Sequence, residues 1–136
     1  MAEDRPNSGI TPHLTIGAGR CDEAIEFYKS AFGAVERSRQ AEENGKRLMH
    51  AALVINGDFV LMHDDFPEYR GGEKCSEPAS VVLHLAVDDA DAWWDRAIAA
   101  GAEISIPLTN QFWGDRYGHL KDPFGHTWSI GSPIKA

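Results

Sequence analysis

The sequence predicts an α+β fold made of two tandem β-α-β-β-β modules that form an open barrel around a shared cavity. Three observations carry this. Two helical stretches, residues 24–34 and 92–102, align at an offset of 68, which carries Gly33 onto Gly101. Each is preceded by one strand-like run and followed by three. A segment rich in Gly, Pro and charge separates the two sets. In a chain of 136 residues neither half is comfortable alone, so the halves are expected to share a core.

The elements follow in order. Residues 1–9 read as a tail, 10–66 as the first module, 67–79 as a linker and 80–134 as the second module. The run TPHLTIG (11–17) alternates and ends in Gly, as a strand does. CDEAIEFYKSAFGA (21–34) puts Ala24, Ile25, Phe27, Tyr28, Ala31 and Phe32 on one stripe, with Asp22 as the expected N-cap and Gly33 as the stop. VERSRQAEEN starts as a polar strand. KRLMHAALVI (46–55) and DFVLMHDD (58–65) flank Asn56-Gly57, a hairpin signal because both turn residues need positive φ. After the linker, SVVLHLAVDD (80–89) is a strand and ADAWWDRAIAAGA (90–102) a helix ended by Gly101. Trp93 and Trp94 are adjacent there, so at most one points fully inward. EISIPL (103–108), RYGHLKD (116–122) and HTWSIG (126–131) are strands, the last two joined by a type I turn over Asp122-Pro123-Phe124-Gly125.

Composition bounds the function classes. The chain is 43% hydrophobic and 25% charged, which suits a packed globular domain. No run approaches a membrane span. The start, MAEDRPNSG, lacks the basic and apolar regions of a signal peptide, so a cytoplasmic protein is expected. The net charge of −8 repels phosphate backbones and argues against nucleic-acid binding. The two cysteines, Cys21 and Cys75, form no metal or redox motif and read as inert thiols.

Chemistry-bearing residues concentrate in NQFWGDRYGHLKDPFGHTWSI (110–130). Phe124 and Trp128 read as core. Trp113, Arg116 and Tyr117 stand where a cavity mouth would be, and an aromatic wall with one guanidinium suits a planar or anionic small ligand. The competing reading is a local Asp115–Arg116 ion pair. Gly114 and Gly118 are expected to permit a bend or bulge. Along the strands, His13, His63 and His84 each fall on the polar face, where three imidazoles could hold a borderline metal such as zinc. His50 reads as a hydrogen-bonded histidine within its sheet, and His119 has no assigned role.

The two modules, with AIEFYKSAFGA, VDDADAWWDRAIAAGA, QFWGDRYGHLKDPFGHTWSI and TPHLTI, resemble the vicinal-oxygen-chelate superfamily of glyoxalases, bleomycin-resistance proteins and extradiol dioxygenases. The last motif looks like its PhnB-like branch. The resemblance spans residues 10 to 133 and implies a glyoxalase-like open barrel, a small-molecule ligand and a homodimer. It also implies a divalent metal (zinc, nickel, manganese or iron) held by the first and last strands of each half. Those positions fall on His13, near Leu61 with His63 two residues on, near Val82 with His84 two residues on, and on Ser129, where the family's glutamate is expected. The metal set is therefore His13 and His84, with Trp113, Arg116, Tyr117, His63 and Ser129 left to bind substrate. No general base is identified. Two functions stay open: a metal-dependent lyase, isomerase or dioxygenase with a degraded metal site, and a metal-free protein that binds or sequesters an antibiotic-like molecule.

Overall fold

A computed structural model describes residues 4–135, so the first three residues of the expected tail lie outside the described ones. The element order is β1 (His13–Ile16), α1 (Cys21–Phe32), β2 (Val35–Ala41), β3 (Leu48–Ile55), β4 (Asp58–Asp64), β5 (Val82–Ala86), α2 (Ala90–Ala100), β6 (Glu103–Asn110), β7 (Asp115–Lys121) and β8 (Thr127–Pro133). The strands form two four-stranded sheets, ordered β1-β4-β3-β2 and β5-β8-β7-β6, and neither closes into a barrel. In each, the first strand runs parallel to the last and the other pairs are antiparallel. The chain divides into two compact units. One holds the residues up to Lys29 with Gly33–Ser76; the other holds Ser30–Phe32 and the residues from Glu77 onward.

In the first unit, strand parity sorts the residues. Leu14, Ile16, Ala51, Leu53, Ile55, Val60, Met62 and Asp64 are buried on one face of the sheet. The Asn56-Gly57 turn has the predicted hairpin geometry, with φ of 51° and 89°, and pairs Ile55 with Asp58. Helix α1 stops at Gly33 in the left-handed conformation, as expected. Its start departs from expectation. Asp22 does not cap it, and lies in the first turn paired with Arg39 at 2.7 Å. The buried Asp64 does that work from β4: its Oδ1 accepts from the Cys21 amide at 2.8 Å and its Oδ2 from the Leu48 amide at 2.7 Å. One side chain thus joins β4, α1 and β3.

The segment read as a linker is partly ordered. Pro67–Arg70 forms a 3-10 turn. The carboxylate of Asp65 receives Arg70 at 2.5 Å and the Cys75 amide at 2.9 Å, which pins the loop at both ends.

In the second unit, α2 covers the face bearing Leu85, Gly118, Leu120, Trp128 and Ile130. Asp89 caps the helix through the Ala92 amide, and Ser132 Oγ accepts from the Ala90 amide. Trp94 is buried and Trp93 only half-buried. Trp94 gives Gly118 a packing role: a Cβ there would stand 2.7 Å from the indole ring, and the β6–β7 register shift falls between the pairs that flank this glycine. Of the two β6–β7 register slips, the one between Ile106 and Thr109 brackets Pro107, which has no amide to offer the ladder. Trp128 packs against Phe32 with ring centroids 4.8 Å apart. Phe124, expected in the core, is half-buried in its turn. That turn is held by Asp122, which accepts from the Phe124 and His126 amides and from Trp128 Nε1. Among the described residues, no helix is long and apolar enough to cross a membrane.

Candidate functional site

The face of the second sheet opposite α2 carries the densest set of polar and aromatic side chains. Residues paired across strands share a face, so His84, Ser129 and His119 form one row, since His84 pairs with Ser129 and Ser129 with His119. The next row is Ala86, Gly131 and Tyr117. The rows are tied together. His84 Nδ1 lies 2.8 Å from Ser129 Oγ, and Tyr117 Oη lies 2.8 Å from His119 Nε2. The His84 and Tyr117 rings are 5.7 Å apart and tilted by 34°. They lean over Gly131. A Cβ there would meet His84 Cε1 at 2.9 Å and Tyr117 Cδ2 at 3.3 Å, so only a bare backbone lets the two rings approach. Trp113 continues the wall edge-on to Tyr117 at 5.5 Å, with its Nε1 donating to Asp115 Oδ2. Beyond it Phe112 is 97% exposed.

Arg116 does not join this wall. It is adjacent to Tyr117 on a strand and therefore points to the opposite face. There its guanidinium donates to both Asp91 oxygens, at 2.9 and 3.0 Å, and to Asn110 Oδ1. Asp91 raises the pKa of Arg116, and Arg116 lowers that of Asp91. The competing Asp115–Arg116 pair is not formed either: the two residues face opposite sides of the strand, where Asp115 accepts from the Trp113 indole and Arg116 pairs with Asp91. The sequence reading did not place His119 or Gly131 on this wall. For His119 the signal was available, because it stands two residues beyond Tyr117 and shares its face. For Gly131 it was not, because a close ring approach cannot be read from a glycine in a strand.

The corresponding face of the first sheet bears His13 and Thr15, then Leu61 and His63, then His50 and Ala52. The His13 and His63 rings meet edge to face at 4.9 Å. Desolvation, with His63 and His50 nearby, holds His13 below the ordinary imidazole range. Cys21, buried under the start of α1, has its thiol pushed up to about 12 by burial and by Asp64, which fits the inert reading.

The registers correct one position. His13 pairs with Leu61, three residues before Asp64, which binds the first amide of α1. His84 pairs with Ser129, three residues before Ser132, which binds the first amide of α2. His84, not Val82, is therefore the counterpart of His13. The four strand positions expected to ligate a metal carry His13, Leu61, His84 and Ser129. Leucine cannot coordinate, the serine hydroxyl is engaged with His84, and there is no carboxylate. This donor set does not fit a four-ligand centre. Among the described residues, no three His, Cys, Asp or Glu side chains group to hold an ion.

Comparisons with known proteins bear on the fold and the family. Uncharacterized protein Rv0887c of Mycobacterium tuberculosis is 47% identical over 93% of this chain and 75% of its own length. The crystal structure of protein PA1353 from Pseudomonas aeruginosa superposes with a TM-score of 0.75 at 24% identity, covering 95% of this chain and all of that one. A PhnB protein from Bacillus cereus, described as a putative 3-demethylubiquinone-9 3-methyltransferase, gives a TM-score of 0.68 at 20% identity, covering 92% of this chain and 99% of that one. Residues 10–130 match the family described as Glyoxalase/Bleomycin resistance protein/Dioxygenase superfamily, and the chain belongs to that superfamily.

Proposed function

We propose that this protein binds a small, planar, oxygen-bearing organic molecule on the helix-free face of its second sheet, and that no metal is needed for binding. One observation carries the reading: His84 and Tyr117 converge over Gly131, with their polar atoms held by Ser129 and His119. Two rigid rings present flat apolar surface, while an imidazole nitrogen and a phenol oxygen set orientation. Trp113 extends the stacking surface. Arg116 plays no part, since it points away and is paired. Binding without turnover is favoured over metal-assisted catalysis by Leu61 and Ser129, which stand where carboxylates or imidazoles would be required. A homodimer belongs to the same reading. The exposed edge strand β6, with Ile104 and Ile106 uncovered, is consistent with it.

The test is an amide-detected NMR titration with 2-naphthol as a planar phenolic probe, in the presence of EDTA. The expected result is saturable shifts confined to β5, β7 and β8 and centred on Gly131. They should weaken in His84→Ala and Tyr117→Phe. Shifts elsewhere, or none, would overturn the reading.

A further inference from the structure

The hydrogen bonds on the helix-free face of the second sheet decide which of its atoms donate outward and which accept. Building on the binding reading above, we infer that the ligand of this face is a planar cyclic amide. Its carbonyl oxygen accepts from His84 Nε2, and its N–H donates to Tyr117 Oη.

The donor follows from Ser129. That residue is 1% exposed, and among the described residues His84 Nδ1, at 2.8 Å, is the one hydrogen-bond partner of its hydroxyl. Were Nδ1 to carry the proton, the serine could only accept, and its own O–H would be buried with no acceptor, a costly state. The serine therefore donates to Nδ1, and in the neutral ring the proton sits on Nε2. His84 is exposed, and its Nε2 overhangs Gly131, 3.4 Å from where a Cβ would stand.

The acceptor follows from Tyr117, whose Oη is 2.8 Å from His119 Nε2. A phenol O–H is a better donor than a neutral imidazole N–H, and an imidazole nitrogen is a better acceptor than a phenol oxygen. The proton of this bond thus belongs to Oη, and His119 carries its own on Nδ1. With its single proton given to His119, Oη can only accept from a ligand. The His84 and Tyr117 rings are 5.7 Å apart, less than the roughly 7 Å needed to sandwich a third ring. A ligand therefore lies across their edges and meets a donor on one ring and an acceptor on the other. A carbonyl beside an N–H answers each with a separate atom. A carboxylate would set an acceptor against the Tyr117 oxygen.

Two measurements on the full chain test this. Long-range proton–nitrogen NMR spectra at pH 8 read which nitrogen of each imidazole is protonated, with His84→Ala and His119→Ala assigning the signals. The expected result is Nε2 for His84 and Nδ1 for His119. Amide NMR titrations with EDTA then compare oxindole, a bicyclic lactam, with 1-methyloxindole, which lacks the N–H donor. Oxindole should shift β5, β7 and β8 and bind about threefold or more tightly than its methyl derivative. Tyr117→Phe, its fold checked by melting, should erase that difference. A His84 protonated on Nδ1, equal affinities for the two lactams, or a difference that survives Tyr117→Phe and is therefore steric would overturn the inference. If 2-naphthol binds while the lactams fail in these ways, the binding reading stands and the amide assignment falls. If neither 2-naphthol nor oxindole shifts these strands, both fall.

Discussion

Removing the Asp64 carboxylate should destabilise the fold more than most single changes. Its two oxygens take the amides of Cys21 and Leu48, residues that are 0% and 3% exposed. Neither amide has a helical or ladder partner to fall back on, because one opens α1 and the other opens β3. In Asp64→Ala both become orphaned donors, each costing about 1–3 kcal/mol, or about 4 kcal/mol together. Asp64→Asn keeps one acceptor and turns the other into a donor facing an amide, so it should lose about half as much. Against a total stability of about 5–15 kcal/mol, the alanine variant stays folded but near the margin. Urea unfolding followed by circular dichroism reads both losses as lowered midpoints with unchanged slopes. A loss below about 1 kcal/mol for alanine, or equal losses for the two variants, would refute the shared-clamp reasoning.

Other perturbations test separate parts. Gly118→Ala places a methyl 2.7 Å from the Trp94 ring and 2.9 Å from the Ile106 carbonyl, and should lower stability by about 1–3 kcal/mol in thermal melts. Arg116→Ala should leave the thermal melting curve nearly unchanged, because its partner Asp91 is exposed and water screens the pair, and should leave 2-naphthol affinity unchanged. The Cys21 thiol, with its pKa raised to about 12, should resist iodoacetamide at pH near 8 until the protein unfolds, as read by mass spectrometry. Glu36, hydrogen-bonded by Arg39 and Lys29, is lowered from 4.5 to about 2. Its folded value is depressed, so its contribution is present above 4.5 and lost as pH falls toward about 2. Glu36→Gln should flatten that part of the acid-unfolding curve.

Features fixed by neighbouring residues were legible in the sequence. The Asn56-Gly57 hairpin, the Gly33 and Gly101 helix ends and the alternation that puts His13, His63 and His84 on polar faces all depend on local geometry. Features fixed at a distance were not. The cap of α1 comes from Asp64, 43 residues away from the amide it binds, so the local candidate Asp22 was preferred. Arg116 was grouped with Tyr117 by adjacency at the expected cavity mouth, although the strand read over 116–122 already puts neighbours on opposite faces. The strand begins at Asp115, and from there alternation alone separates the two. The placement of His84 opposite Ser129 needed the parallel register between β5 and β8, which nothing in either strand specifies alone.

A double-mutant cycle on 2-naphthol affinity, using His84→Ala, Tyr117→Phe and the pair, tests most directly whether both rings serve one ligand. Residues acting on a common ligand should show a coupling of about 0.5 kcal/mol or more. Strict additivity, with each variant reducing affinity independently, would contradict a shared site over Gly131.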